Sequence, residues 1–204
     1  MALPPPATRK LSHTRSVVYR GYDREDGLWD IEAELTDIKP YTFTLLQERS
    51  YPAQEPIHHL NIRMTVDNQL TVRDIVTSLD AVPHPECHQS PVNMTALIGG
   101  SLGPGWRRQI EQHLGRTQGC THLREMLFNM ATAAFQTVAS GQWHRREQGG
   151  QPQPPITQPP PYLGQCMTWA YDGPTVQRVY PMFFGQPPAR PRTQTMADEP
   201  KAQR

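Results

Sequence analysis

A β-hairpin is predicted by residues 58–79, which read HHLNIRMTVDNQLTVRDIVTSL. Two stretches of β-favouring residues, His59 to Val66 and Leu70 to Leu79, flank a turn made of Asp, Asn and Gln. Alternation divides the first stretch into an apolar face of Leu60, Ile62, Met64 and Val66 and a polar face of His59, Asn61, Arg63 and Thr65. The same alternation places His58 on the apolar face and His59 on the polar face.

Further strands are predicted before this hairpin. A short strand runs from Ser16 to Arg20, and a second runs from Leu28 until Lys39-Pro40 ends or bends it. The second strand has one wholly apolar set of alternate residues, which is Trp29, Ile31, Ala33 and Leu35. An edge strand follows at Tyr41 to Gln47. These strands and the hairpin together predict a sheet with one buried face.

After Pro83 the apolar residues recur about every 3.6 residues instead of every second residue, which indicates helices. A short helix is predicted at Val92 to Gly99, and a second begins at Pro104 and buries Trp106, Ile110 and Leu114. The longest helix is predicted from Thr121 to Ala139 and buries Leu123, Met126, Leu127, Met130, Ala134 and Val138. The predicted class is therefore α+β, with an antiparallel sheet of N-terminal strands and the hairpin covered on one face by C-terminal helices.

Composition divides the chain into five predicted segments. They are a disordered N-terminus at 1–11, an α+β core domain at 12–141, a Pro/Gln-rich linker at 142–161, a hairpin-like segment at 162–184 and a disordered tail at 185–204. The hairpin-like segment is too small to fold alone, so we expect it to dock on the core domain.

Charge and targeting signals narrow the classes of function. The 204 residues carry a formal net charge of +1 without a large basic cluster, which argues against nucleic acid or an anionic membrane as partner. The N-terminal residues do not resemble a signal peptide, so we expect a cytoplasmic protein. The odd number of cysteines, three, argues against a disulfide framework. A protein partner could bind the extended Pro/Gln-rich tract, and the sequence leaves the oligomeric state open.

The tetrad Gly119-Cys120-Thr121-His122 marks the predicted start of the longest helix. Thr121 is expected to cap the helix through its hydroxyl. The unpaired N–H groups of the first turn and the helix dipole favour thiolate over thiol at Cys120. The tetrad therefore combines an activated sulfur with the imidazole of His122, as a metal ligand or a nucleophile would require.

A metal site is the first functional hypothesis. The candidate ligands all lie at predicted element ends and are His58, His59, Cys87, Cys120, His122 and Cys166. Thiolate and imidazole are ligands that zinc prefers, and iron–sulfur clusters take thiolates with an occasional His, so the residue types fit both cofactors. The spacing does not match a local C-x-x-C motif, because every ligand would come from a separate element. Asp30 and Asp37 flank the Trp29 strand and could also face this site.

Two other hypotheses stay open. In the first, the protein is a metal-free enzyme in which Cys120 is nucleophile or acid and His122 or His58 carries the proton, with a small acid or a thioester as substrate. In the second, it is a non-catalytic accessory protein that binds a partner through the Pro/Gln-rich tract.

Several short motifs resemble a bacterial family known as domain of unknown function 2889. They are Asp26-Gly-Leu-Trp-Asp30, Thr36-Asp-Ile-Lys-Pro-Tyr41, Pro56 to His59, Pro83 to Cys87, Gly105-Trp106 and Gly119 to Leu123. The resemblance extends from Val17 to Phe184 and implies no established function. Met167 stands where the family pattern leads us to expect a His.

The order of elements and cysteines is also similar to that of iron–sulfur assembly scaffold proteins, though more distantly. That resemblance implies that Cys87 matches the middle ligand of the scaffold and Cys120 its helix-head ligand, while His58 or His59 replaces its first cysteine. The Gly-rich flanks of the scaffold cysteines are missing here.

Overall fold

The computed structural model describes residues 3–46 and 49–187. The strands are β1 (Thr14–Asp23), β2 (Trp29–Ile38), β3 (Phe43–Leu45), β4 (Arg49–Tyr51), β5 (His58–Val66) and β6 (Val72–Ala81). The α-helices are α1 (Trp106–Leu114), α2 (Thr121–Gln148) and α3 (Pro174–Val179). Short 3₁₀ helices cover Pro85–Gln89, Met94–Leu97, Arg116–Gln118, Met167–Trp169 and Pro181–Phe183.

Four strands form one antiparallel sheet in the order β1-β2-β5-β6. The predicted hairpin is β5 and β6, and β5 also pairs with β2, so that Trp29 lies opposite Val66 and Asp37 lies opposite His58. Strands β3 and β4 form a separate small hairpin. Since the main helices follow the sheet in sequence, the α+β class is confirmed.

The buried face of the sheet follows the alternation in the sequence. Every second residue of β2 is buried, and the β5 residues Leu60, Ile62, Met64 and Val66 are almost wholly excluded from solvent. Helix α2 packs on β1, β2 and β5, and α1 packs on α2. Within this core Trp106 Nε1 donates a hydrogen bond to Leu127 O at 2.9 Å. Burying one face of each element is what joins the sheet and the helices into one core.

Helix α1 begins later than predicted, whereas helix α2 begins at the predicted residue without the predicted cap. Helix α1 starts at Trp106 after Gly105, which has a φ of 97°, so Pro104 is not its first residue. Helix α2 has Cys120 as its N-cap and Thr121 as its first residue, and no side-chain cap hydrogen bond forms there. The predicted capping role of Thr121 is therefore wrong, because its hydroxyl lies one residue too late in the chain.

Helix α2 is also longer than predicted and ends at Gln148, so residues 142–148 are helical rather than part of a linker. Arg145 explains the extension. Its guanidinium lies 3.8 Å from the centre of the Trp29 ring and donates hydrogen bonds to Asp23. These contacts hold the last turns of α2 against the β1–β2 turn, which local composition does not reveal.

The chain divides into two compact units, Met1–Pro152 and Gln153–Arg204. In the second unit the predicted hairpin at 162–184 is wrong, because Met167–Trp169 is a 3₁₀ helix and α3 occupies Pro174–Val179. Pro174 sits at the first turn of α3, where its fixed φ favours a helix over a hairpin turn. The predicted disordered tail lies outside the described residues from position 188 onward.

Residues 151–160, in the predicted linker, contain neither helix nor strand. In the described parts of the chain, 3–46 and 49–187, no helix is both long and apolar enough to cross a membrane.

Candidate metal centre

Three side chains from three elements of the first unit converge at one point. Asp37 stands near the end of β2, His58 is the first residue of β5 and His122 lies in the first turn of α2. One ligand atom from each lies within 4.8 Å of the others. The strand register explains half of this convergence, because Asp37 and His58 are directly paired and both face the core. The third side chain, His122, comes from the first turn of α2.

Asp37 is a buried carboxylate held by two basic side chains. Arg15 donates from Nε to Oδ1 and from Nη2 to Oδ2, both at 2.8 Å, and His13 Nε2 lies 3.1 Å from Oδ1. Burial alone would raise the pKa of Asp37, but the hydrogen bonds and charge of Arg15 outweigh it and lower the pKa below its usual value. Asp37 is therefore an anion near neutral pH.

His58 is half-buried beside this carboxylate. Its Nδ1 lies 3.0 Å from Asp37 Oδ2, yet the contact does not have the angle of a hydrogen bond, and this buried nitrogen has no hydrogen-bond partner among the described residues. Burial, followed by the neighbouring His122, lowers the pKa of His58, although Asp37 opposes the shift. The imidazole is thus held in the neutral form that binds metal ions.

Cys120 and His122 form a contact pair next to this group. Cys120 Sγ lies 3.7 Å from His122 Nδ1, and the rings of His122 and His58 lie 4.3 Å apart between centroids. Burial raises the pKa of Cys120, but hydrogen bonds from His122 and from the backbone N–H of Leu123 outweigh this effect and lower it. The expected influence of the helix start on the thiol is therefore present, although Cys120 is outside the group of three.

The other predicted ligands, His59, Cys87 and Cys166, do not belong to this group of three. His59 faces the opposite side of the sheet, where it contacts Glu34 at 3.3 Å and Asp80 at 3.6 Å. Cys87 is half-buried in the 3₁₀ helix Pro85–Gln89, and Cys166 is an exposed residue of the second unit. The structure thus brings His58, His122 and Cys120 together and leaves His59 apart, while the metal roles of Cys87 and Cys166 stay predictions.

Comparison with known proteins gives one family. The family model described as "Protein of unknown function (DUF2889)" matches residues 13–136, which is more than half of the chain. The chain belongs to the DUF2889 family. No curated protein and no solved structure matches it. The matched range of the DUF2889 domain includes Asp37, His58, Cys120 and His122, together with Arg15.

A cavity of about 750 Å³ in the DUF2889 domain opens beside this group, and His58, Cys120 and His122 line it. Its apolar lining residues include Leu60, Leu79, Val82, Pro83 and Val92. Its uncharged polar lining residues include Gln89, Ser90, Asn93, Thr117 and Gln118. Cys87 also lines this cavity, so two of the three cysteines face one space.

The sequence suggested that Asp37 could face the site of the DUF2889 domain but did not place it among the candidate ligands, although a stronger signal was present. The apolar alternation that ends at Leu35 continues by two residues to Asp37, and β2 extends to Ile38. A carboxylate on the buried face of a strand requires a partner. Arg15 and His13, which provide that partner from β1 and the residue before it, carry no such signal.

Proposed function

We propose that the DUF2889 domain binds a single Zn²⁺ ion through Asp37, His58 and His122. The observation that carries the proposal is the approach of one donor atom from each of these residues to within 4.8 Å of the others. Two imidazoles and one carboxylate form the ligand type of zinc sites that keep a fourth position open. An iron–sulfur cluster is held by thiolates, and the group contains none, so the ligand set favours a mononuclear ion.

The contact between Asp37 and His58 supports a cation at this point. A carboxylate oxygen and the unprotonated nitrogen of a neutral imidazole are both acceptors, so they repel each other at 3.0 Å unless a proton or a metal ion lies between them. A neutral imidazole carries its one proton on either nitrogen, and the angle of this contact is not that of a hydrogen bond from Nδ1. A divalent ion would satisfy both atoms.

The hydrogen bonds of Asp37 leave room for such an ion. Arg15 donates to Oδ1, which His13 Nε2 also contacts, whereas among the described residues only Arg15 donates a hydrogen bond to Oδ2. Oδ2 is also the oxygen that faces His58. Arg15 therefore orients the carboxylate in the manner of the outer-shell partners of zinc ligands, and one lone pair stays available.

The test is a zinc titration of chelator-treated protein, with bound metal counted by elemental analysis. Wild-type protein is expected to bind one zinc ion per chain, and His58→Gln and His122→Gln are expected to weaken binding by about 100-fold or more, since each removes one of three ligands. His59→Gln is the matched control, because it changes the neighbouring histidine on the opposite sheet face.

Two results would overturn the proposal. One is wild-type protein that takes up no zinc while circular dichroism shows it folded. The other is equal zinc affinity in the wild-type, His58→Gln and His122→Gln proteins. Zinc that stabilises the wild-type and His59→Gln proteins against heat, but neither ligand variant, would support it by an independent measurement.

A second candidate function is covalent chemistry at Cys120, with His122 as the proton carrier. The specific observation is the contact of 3.7 Å between Sγ and Nδ1 in the wall of a cavity. With p-nitrophenyl acetate in the presence of EDTA, the acetyl group would pass to Sγ, nitrophenolate would leave and His122 would take the thiol proton. Release of one nitrophenolate per chain, absent from Cys120→Ala, supports this function, and equal release from both proteins contradicts it.

A further inference from the structure

We infer that the DUF2889 domain forms a homodimer in which β1 of one copy pairs antiparallel with β1 of a second copy, around a two-fold axis at Val18. The two four-stranded sheets would then continue as one sheet, with the helices of both copies on the same face. The inference concerns the edge of the sheet and does not rest on the proposed zinc ion.

Strand β1 is a long outer strand with one unpaired edge. It contains ten residues, Thr14–Asp23, and among the described residues only β2 pairs with it. In an antiparallel sheet roughly half of the N–H and C=O groups of an outer strand point away from its neighbour. Eight of the ten residues are exposed, so no described segment covers the strand. Its outer edge is therefore available to a further strand.

The other outer strand, β6, is less suited to such pairing. Two register shifts interrupt its ladder with β5. A loop also binds its start, where Val72 N donates to Gly100 O and Gly99 N donates to Val72 O, both at 2.8 Å. Natural edge strands are commonly protected by bulges, covering loops, proline or lysine. Strand β1 pairs with β2 in one unbroken register and contains neither proline nor lysine, so it lacks these protections.

Apolar side chains occupy the middle of β1. Val17 and Val18 are 37% and 39% exposed, and Tyr19 follows them. Pairing around Val18 brings the Val18 side chains of the two copies together on one face of the sheet, and Val17 next to Tyr19 on the other. Both kinds of pair would remove apolar surface from water, which stabilises the dimer.

The charges of β1 fit the same register. Arg20 lies opposite Ser16 of the second copy, and Arg15 lies opposite Gly21 with Asp23 as a diagonal neighbour. Like charges therefore do not meet along the ladder, and the one acidic residue of the strand lies beside a basic residue.

The register centred on Tyr19 is less favourable. It places the Arg20 side chains of the two copies diagonally next to each other, which is repulsive. It also sets Arg15 opposite Asp23, but these groups are already bound within one copy, Arg15 to Asp37 and Asp23 to Arg145. The apolar and charged residues thus favour the axis at Val18.

The helix side of β1 has room for side chains of a second copy. Tyr19 and Gly21 line an open space of about 400 Å³ together with residues of α2 that include Thr132, Ala133 and Gln136. The proposed register sets Val17 of the second copy opposite Tyr19, on this same face. The small side chains of α2 therefore leave space where the dimer brings apolar atoms.

The test is sedimentation of the 204-residue chain at concentrations from about 5 µM to about 0.5 mM, in EDTA and again in zinc. The mass is expected to rise with concentration from 23.2 kDa toward twice that value in both buffers. Val18→Glu and Val18→Lys are each expected to weaken the dimer by at least about tenfold, because like charges then lie opposite each other. An equimolar mixture of these two variants is expected to dimerise again, since Glu then lies opposite Lys.

Val76→Glu and Val76→Lys are the matched controls. Val76 is an exposed valine on β6, the other outer strand of the same sheet, so these variants are expected to dimerise like the wild type. Wild-type protein that stays monomeric at about 0.5 mM would overturn the inference. So would dimers of Val18→Glu as strong as those of the wild type, or a mixture that dimerises no better than either variant alone.

Hydrogen exchange gives a measurement that needs no variant. Amides of β1 are expected to exchange more slowly at high than at low protein concentration, because pairing protects the groups that point away from β2. Amides of β6 are expected to exchange at the same rate at both concentrations. Protection that appears elsewhere in the chain but not in β1 would mean that the copies associate through another surface, which overturns the inference.

Discussion

Asp37 Oδ2 lies 3.0 Å from His58 Nδ1 across the pairing of β2 with β5. The Asp37 side chain is 3% exposed and that of His58 is 17% exposed, so this contact is shielded from bulk water. It connects the sheet to the cavity, because Asp37 is held by Arg15 on β1 while His58 lines the cavity. A change at Asp37 is therefore expected to affect both the stability of the sheet and the candidate metal site.

Asp37→Asn is expected to destabilise the metal-free protein by about 2 kcal/mol, because it removes the charge of a buried carboxylate that accepts two hydrogen bonds from Arg15. The measurement is the urea midpoint of unfolding in EDTA. Glu34→Gln on the same strand is the matched control, since Glu34 also contacts an arginine and a histidine but is partly exposed. It should cost less than about 1 kcal/mol, and equal losses in both variants would contradict the prediction.

His122→Gln is expected to slow the alkylation of Cys120 by iodoacetamide at pH 7 by about tenfold in EDTA. The physical reason is that burial raises the pKa of Cys120 and the contact with His122 helps to lower it, so without His122 less thiolate is present. Mass spectrometry of each cysteine peptide gives the rate. Cys166 in the same molecule is the control, and an unchanged rate at Cys120 would show that His122 does not activate it.

Asp67→Asn is expected to lose stability in a manner that depends on pH. Burial would raise the pKa of Asp67, but N–H groups of Thr71 and Gln69, together with Arg73 at 2.9 Å, lower it. A lowered pKa contributes stability that is fully present above the unfolded value of about 3.9 and is lost as the pH falls through the folded value.

The free energies of unfolding of the wild-type and Asp67→Asn proteins, measured with urea, should therefore differ by about 1 to 3 kcal/mol at pH 7 and converge toward pH ~2. Asp74→Asn at an exposed position of β6 should stay within about 0.5 kcal/mol of wild type. A gap for Asp67→Asn that is independent of pH would contradict the prediction.

Gly141→Ala is expected to destabilise the protein, although alanine is the better helix former by about 1 kcal/mol. A β-carbon at Gly141 would overlap the ring of the buried Trp29, so α2 or the ring must move. The expected loss is about 1 to 3 kcal/mol in thermal or urea unfolding. Ser140→Ala, at the exposed neighbouring site, should stay within about 0.5 kcal/mol of wild type. A gain in stability for Gly141→Ala would contradict the prediction, because it would show that the Trp29 ring can move away at little cost.

The core elements could be predicted because their signals are local. The alternation of His59 to Val66 and the 3.6 period after Thr121 each specify which residues of an element are buried, and the structure confirms both. The hairpin predicted in the second unit failed for a local reason as well. Asp172-Gly173-Pro174 is compatible with a turn and with a helix start, and the structure has the helix.

The sequence by itself determined that Cys120 and His122 share a helix start and that His58 and His59 face opposite sides of the sheet, because both follow from the period of one element. Only the tertiary structure decided that Asp37 and Arg15 join them and that His59 does not. The antiparallel register places Asp37 opposite His58, and the packing of α2 on the sheet brings His122 to the same point. Contacts between elements distant in sequence depend on register and packing angle, which no single segment encodes.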